Sequence, residues 1–371
     1  MSLETETTPT AFRVVEPNGG RPSWTWTTWR GPAPNLTARV RIAGLCRSDL
    51  KEAFGNRDVR RDFGHELVAE IVGVPLESGL APGQRVVLDP HVEIRRSTGF
   101  ARVMHAYAEP ATLARAFLPV SDEMPDRIAV FAEPLACAVH SVRQALGHYR
   151  ETGNETPPRR VAFTAAGLAS LLQAFVLARS GIACEIFNRS PERLAVLRSR
   201  AALARTGISL REAEPESAYD IVVVSGAFSD EVSIERAWRM VRPDGVLLLF
   251  GGTKSGEYSA VLGLPTDALR RNQARAAIAR GGKRAVVAGT HGARREDFTE
   301  ALRLLALPDA GSFFTALVDR IVRVEELPAL LLGLHHGEIA SWSKTLVETR
   351  ADGSDDTRGG VAGAPTEDAH G

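Results

Sequence analysis

The sequence predicts an α/β protein built in two styles, a β-rich first part and a doubly wound parallel sheet after it. Three observations carry this reading. Residues 1–150 hold short β-type runs broken by Gly and Pro. From Arg159 onward, near-continuous apolar runs of strand length alternate with helical patterns. At 371 residues the chain is long enough to bury large cores without disulfide support.

In the first part, Ala38 to Ile42, Leu67 to Val74 and Gln84 to Leu88 read as strands, punctuated at Pro82, Gly83 and Pro90, an antiparallel and barrel-like pattern. The segment Asp126 to Leu146 carries apolar residues at helical spacing, with Pro134 placed to kink or restart the helix. Strand Arg159 to Ala165, helix Leu168 to Arg179, strand Ala183 to Arg189 and a helix from Pro191 open the α/β part. Strands at Tyr219 to Ala227, Gly245 to Gly252 and Arg284 to Thr290 continue it, with a helix over Glu231 to Val241. Strands apolar on both faces imply a parallel sheet covered on both sides, with right-handed crossovers. Helix Arg295 to Leu307 follows, and Ala316 to Leu346 alternates in a way that suits a return to the first part. Residues 351–371 are Gly- and Asp-rich without periodicity and read as a disordered tail. Trp24 and Trp26 fall on one face of a strand and Trp29 on the other, a pattern for packing ahead of ligand stacking.

Composition narrows the function classes. Forty-five Lys plus Arg balance 45 Asp plus Glu, so no global field favours nucleic acid or an anionic membrane. No apolar stretch approaches the ~18 residues of a spanning helix, and MSLETETTPT lacks the pattern of a secretory signal, so a soluble, cytoplasmic protein is expected. The 3 cysteines, Cys46, Cys137 and Cys184, make no disulfide framework; in this setting a thiol is either buried or a metal ligand.

Three separated fragments hold metal-ligand chemistry: Cys46 in AGLCRSDL, His65 with Glu66 in FGHELVAEIVGV, and Glu133 in FAEPLACAVH. A thiolate, an imidazole and a carboxylate suit zinc, and a catalytic site keeps a position open. Singly, each is as readily a packed core residue. Together and in order, they resemble the zinc-dependent medium-chain dehydrogenase/reductase family of alcohol, sorbitol and threonine dehydrogenases. The resemblance runs from about residue 35 to 347, through Gly44, Cys46, Ser48 and Asp49, then Gly64, His65 and Glu66, then Glu133 and Pro134, to PGQRVVLDP and Ser343 to Thr345.

This resemblance implies a GroES-like catalytic domain over residues 1–155, a Rossmann nucleotide-binding domain over 156–295, and a return to the catalytic domain over 296–350. It implies one catalytic zinc held by Cys46, His65, Glu66 and Glu133, in a cleft between the domains. Ser48 matches the hydroxyl that passes the alcohol proton outward, or else caps a helix. Asp49 matches a position that orients the metal histidine, and Glu66 either ligates zinc or replaces water on it. Arg47 matches a position where some relatives hold the pyrophosphate. His291, in a GTHG turn, matches a segment near the nicotinamide in polyol, sugar and cyclitol enzymes, or is loop surface.

Two departures qualify the match. The stretch DPHVEIRRSTGFARVMHAYAEP has none of the four cysteines that bind a structural zinc in many relatives, so no structural zinc is expected; His91 and His105 there read as surface or pocket residues. A homo-oligomer stays open. The nucleotide turn, usually G-x-G-x-x-G, reads Ala165, Ala166, Gly167, Leu168, Ala169, Ser170. Only the middle glycine, which lets the backbone approach the pyrophosphate, survives. After the second strand stands Phe187-Asn188-Arg189-Ser190 in place of an acid, which favours NADP over NAD, with Arg189, Ser190 and Arg193 near the 2′-phosphate; Arg189 reads equally as a solvated helix-start residue. The leading expectation is hydride transfer between a nicotinamide cofactor and a secondary alcohol or ketone of a polar small molecule such as a sugar, polyol or cyclitol. A redox-neutral epimerase on the same fold and a non-catalytic ligand-binding relative are the alternatives.

Overall fold

The computed structural model describes residues 11–18, 21–29, 32–55, 63–204 and 206–349. The N-terminal segment MSLETETTPT and the expected tail 351–371 lie outside the described residues. The chain divides into two compact units, residues 1–122, 321–339 and 346–371 in one, and residues 123–320 and 340–345 in the other.

The first unit includes the strands β1 (Ala11–Asn18), β2 (Arg21–Thr28), β3 (Leu36–Leu45), β4 (Glu66–Gly73), β5 (Arg85–Leu88), β6 (Arg95–Arg96), β7 (Val103–Tyr107) and β8 (Phe117–Pro119). β1 and β2 form an antiparallel hairpin, β3, β4, β5 and β8 follow one another in an antiparallel sheet, and β7 pairs with both β3 and β6. The first residues of β3 alternate between buried and partly exposed, as a half-covered strand should, and Leu36, Ala38 and Val40 enter a core with Leu67, Ala69, Ile71, Val86 and Leu88. The alternation expected over Ala316 to Leu346 is interrupted. An apolar helix, Leu327–His336, occupies its centre and sends Leu327, Leu330 and Leu331 into the same core.

The second unit contains β9 (Val161–Phe163), β10 (Cys184–Phe187), β11 (Ser209–Arg211), β12 (Tyr219–Val224), β13 (Val241–Leu249), β14 (Arg275–Arg280) and β15 (Lys283–Gly289), ordered β11-β10-β9-β12-β13-β15-β14. All pairs are parallel except β14 with β15. With β9 first in the chain, the parallel strands take the order 3-2-1-4-5-6, so the direction of winding reverses between β9 and β12. Ligands of doubly wound sheets bind beyond the carboxyl ends of the strands at such a reversal. All six residues of β12 are buried, which accounts for its unbroken apolar run.

The helix expected from Asp126 divides into Asp126–Ala129 and Ala132–Glu151, and Pro134 sits in the first turn of the second, where its missing N–H costs nothing. This long helix, assigned from sequence to the first domain, packs inside the second unit against helices Leu168–Arg179 and Arg295–Leu305. Its inner face, Leu135, Ala136, Val139 and Val142, is buried, and a helix follows its apolar stripe.

Candidate active site

Antiparallel pairing brings two distant motifs together. Gly44, near the end of β3, lies opposite Glu66 at the start of β4, so Cys46 and the Gly64-His65-Glu66 turn emerge at the same end of the sheet. Cys46 then takes the N-cap position of helix Arg47–Ala53. The fully buried Asp49 stitches the two segments: one carboxylate oxygen accepts the Cys46 N–H at 2.8 Å and the other the Gly64 N–H at 2.9 Å. Its nearer oxygen is 3.6 Å from His65 Nδ1, too far for a hydrogen bond. Asp49 therefore fixes the two backbone segments and lies beside the His65 ring.

Ligand atoms of Cys46, His65 and Glu66 all lie within 4.8 Å of one another, with His65 and Glu66 buried. Zinc bonds of ~2.0–2.3 Å in a tetrahedron set ligand atoms about 3.5 Å apart, so this trio suits one ion after small side-chain adjustment. Among the described residues, the Ser48 hydroxyl, two residues beyond the thiol, is buried with no hydrogen-bond partner. A buried hydroxyl left this way is costly, which points to a ligand that completes it. Arg47 is exposed. Glu133 lies in the second unit at the start of helix Ala132–Glu151, buried, with the Cys137 thiol donating to it at 3.3 Å. Cys184 is buried, and burial, with a contribution from Glu185, pushes its thiol up to about 12.

The altered nucleotide turn keeps the strand-turn-helix context. Thr164 to Ala166 follow β9, and Gly167 caps helix Leu168–Arg179 in an extended conformation. A Cβ added to Gly167 would meet nothing within 4 Å, so the protein leaves open space at the one retained glycine. The lost third glycine has a structural replacement. The Ser170 hydroxyl, fully buried, reaches the Ala165 carbonyl at 2.5 Å and Ser225 Oγ at 2.8 Å, tying the helix to the turn and to the end of β12. Thr164 and Ser225, missed in the sequence, meet across the reversal, where the Ser225 N–H donates to Thr164 Oγ1 at 3.4 Å; hydroxyl residues ending both strands were the signal available.

Beyond β10, Asn188 accepts the Ala166 N–H at 3.3 Å and Arg189 is exposed. Ser190 caps the next helix by accepting the Arg193 N–H. The Arg193 guanidinium donates to the carbonyls of Ala166 at 3.2 Å, Trp342 at 2.7 Å and Ser341 at 2.9 Å, and stacks over Trp342. The structure thus engages Ser190 and Arg193 in local bonding and leaves Arg189 as the exposed cation of the trio.

The remaining expectations separate cleanly. His105 is buried, against the surface or pocket reading; it meets Thr37 Oγ1 at 3.1 Å and Trp29 edge-on, and burial holds its pKa below the usual value. His91 and His291 are exposed. Trp24 packs against the first core, whereas Trp26 is 41% exposed.

No family model matches the chain. A D-altritol 5-dehydrogenase from Agrobacterium fabrum is 27% identical over 245 residues, which cover 59% of this chain and 70% of the relative. Among solved structures, one described as a zinc-binding dehydrogenase from Sinorhizobium meliloti 1021 bound to NADP superposes with a TM-score of 0.67 at 16% identity, covering 92% of this chain and all of the other. L-idonate 5-dehydrogenase from Escherichia coli gives 0.64 at 15% identity, covering 92% of this chain and 98% of the other. The fold is that of a GroES-like unit joined to a Rossmann unit. In fold the chain is similar to these dehydrogenases, and in sequence it is similar to the D-altritol 5-dehydrogenase. Among the described residues no helix is long and apolar enough to cross a membrane.

Proposed function

We propose that this protein is an NAD(P)-dependent dehydrogenase that interconverts a secondary alcohol and a ketone on a polyol or sugar. The observation that carries the reading is the convergence of Cys46, His65 and Glu66 within 4.8 Å, in a chain whose second unit keeps an open glycine at a dinucleotide turn. Cys46, His65 and Glu66 would hold a single zinc, whose chemistry when bound is Lewis-acid polarisation of an alcohol or carbonyl oxygen. Asp49 holds the two ligand-bearing segments in register through its two backbone hydrogen bonds. Ser48, its hydroxyl buried and without a partner among the described residues, would accept the substrate hydroxyl proton and pass it outward.

Gly167 and the N–H groups that open helix Leu168–Arg179 would receive the pyrophosphate, since a helix N-terminus favours an anion. NADP is the preferred dinucleotide in this reading. No carboxylate stands at Asn188 to repel a 2′-phosphate, and Arg189 is exposed beside it. The polar substrate class rests on the D-altritol and L-idonate dehydrogenases that the chain resembles.

A panel of polyols, sugar alcohols and cyclitols with NAD and with NADP, followed at the nicotinamide absorbance, tests this. Turnover on at least one polyol with faster NADP reduction is expected. Absence of nicotinamide turnover across the panel, with a stereoinverted product found by chromatography, would replace the dehydrogenase reading by the epimerase one.

A further inference from the structure

The region that lacks the four cysteines is folded, and it touches the histidine turn. β6 and β7 close a hairpin in which Arg95 opposes Tyr107 and Arg96 opposes Ala106; it is secured by Ser97 N–H to His105 O at 2.9 Å and His105 N–H to Ser97 Oγ at 3.0 Å. β7 is also paired with β3, the strand that leads into Cys46, through Leu36 with Ala106 to Arg39 with Val103. From this anchored platform the segment Arg96 to Phe100 reaches Phe63 and Gly64, the residues just before His65. The Arg96 guanidinium donates to Phe63 O at 3.3 Å and to Ser97 O at 3.0 Å. Gly99 N–H approaches the same Phe63 carbonyl at 3.4 Å, and the rings of Phe63 and Phe100 meet edge-on at 5.0 Å.

The two backbones are in contact with no room for side chains. A Cβ on Gly99 would lie 2.0 Å from Gly64 O and 2.6 Å from Leu67 Cδ2, and one on Gly64 would lie 2.7 Å from Phe100 N. Gly64 also has φ +66, a conformation that favours glycine. The turn that presents His65 is therefore fixed from two sides, by Asp49 on the Gly64 N–H and by the hairpin on the Phe63 carbonyl and the Gly64 backbone.

We propose that Arg96 and Gly99 are positioning residues for the His65 ligand, and that this cysteine-free hairpin is a brace for the metal site. The inference rests on the zinc reading above. A ligand turn held this way loses less freedom when it binds an ion, and removing partners behind metal ligands typically costs ~10–100-fold in affinity.

The test uses the full-length protein freed of metal and titrated with Co²⁺, which reports a thiolate ligand through a near-ultraviolet charge-transfer band. Wild type is expected to bind Co²⁺ with that band, and Cys46→Ser to lose the band. Arg96→Met is expected to bind Co²⁺ about 10-fold more weakly, with a shifted visible spectrum, while its metal-free circular dichroism matches wild type. Arg96→Lys, which keeps a donor, is expected to recover part of the affinity. Wild-type Co²⁺ affinity and spectrum in Arg96→Met would overturn the brace while leaving the zinc reading intact. If Arg96→Met does not fold, Arg96→Leu, which likewise lacks a donor, decides, and affinity and spectrum equal to wild type overturn the proposal. Failure of wild type itself to give the Cys46-dependent band overturns both.

Discussion

At the scale of single residues, the proposed role of Ser48 starts from an unmet bonding need, since among the described residues its buried hydroxyl has no partner. Ser48→Ala is expected to lower kcat about 100-fold while zinc content measured by mass spectrometry stays at the wild-type level. A drop in zinc together with activity would assign Ser48 to structure. Arg193 shows the opposite case. Its sequence position suggested a phosphate contact, but two of its carbonyl partners lie almost 150 residues away, at Ser341 and Trp342, and no local pattern could reveal them. In the proposed reading, Arg189 is the residue that discriminates between cofactors. Arg189→Ala is expected to raise the KM for NADP about 10-fold with little change for NAD, because a lost charge-assisted bond of ~1.4 kcal/mol is a factor of ten. Equal effects on both dinucleotides would remove Arg189 from the 2′-phosphate. The metal-ligand candidates were legible because zinc tolerates few donor types, and those donors stand in short recognisable runs.

At the scale of elements, apolar periodicity located most strands and helices of the second unit, including helix Leu168–Arg179 in its full length. It was silent where packing is one-sided or short. β14, reading RAAIAR, is an edge strand with most of its residues exposed, so it carries little hydrophobic signal. Polar substitutions inside elements have traceable consequences. Ser170→Ala removes two buried hydrogen bonds that tie the nucleotide turn to its helix, and urea denaturation should show a loss of about 2 kcal/mol. An unchanged midpoint would mean that the serine is incidental.

Helix Arg295–Leu305 is pinned through Asp297, which meets His140 Nδ1 at 2.8 Å, Arg143 at 2.6 Å and the Arg294 N–H at 2.8 Å. Burial alone would raise the Asp297 pKa, but the His140 and Arg294 hydrogen bonds and the charges of His140 and Arg143 outweigh it and hold the carboxyl below its usual range. A depressed carboxyl stabilises the fold above the ordinary carboxylate pKa, and that stabilisation is lost as pH falls through the depressed native value. The stability deficit of Asp297→Asn should therefore be largest near pH 7 and shrink toward acid, as read from urea midpoints across pH. A deficit constant with pH would contradict the ionic role.

At the scale of the whole molecule, the two-part architecture was readable because two hydrophobic periodicities succeed each other along the chain. The boundary was less so. The long helix Ala132–Glu151 carries an apolar stripe that fits any core, and only its neighbours place it in the second unit. The same limit applies to the return segment, where residues 321–339 join the first unit through an apolar helix that local alternation did not indicate. The fold and the grouping of Cys46, His65 and Glu66 nonetheless support the proposed account, in which a thiol, an imidazole and a carboxylate would hold a single zinc ion for a dehydrogenase reaction. Its most direct test is the zinc content and polyol turnover of wild type beside Cys46→Ser and His65→Ala, all as full-length folded protein. The account predicts about one zinc per chain and nicotinamide-linked turnover in wild type, with both lost in each variant. Full zinc occupancy and undiminished turnover in Cys46→Ser would contradict it.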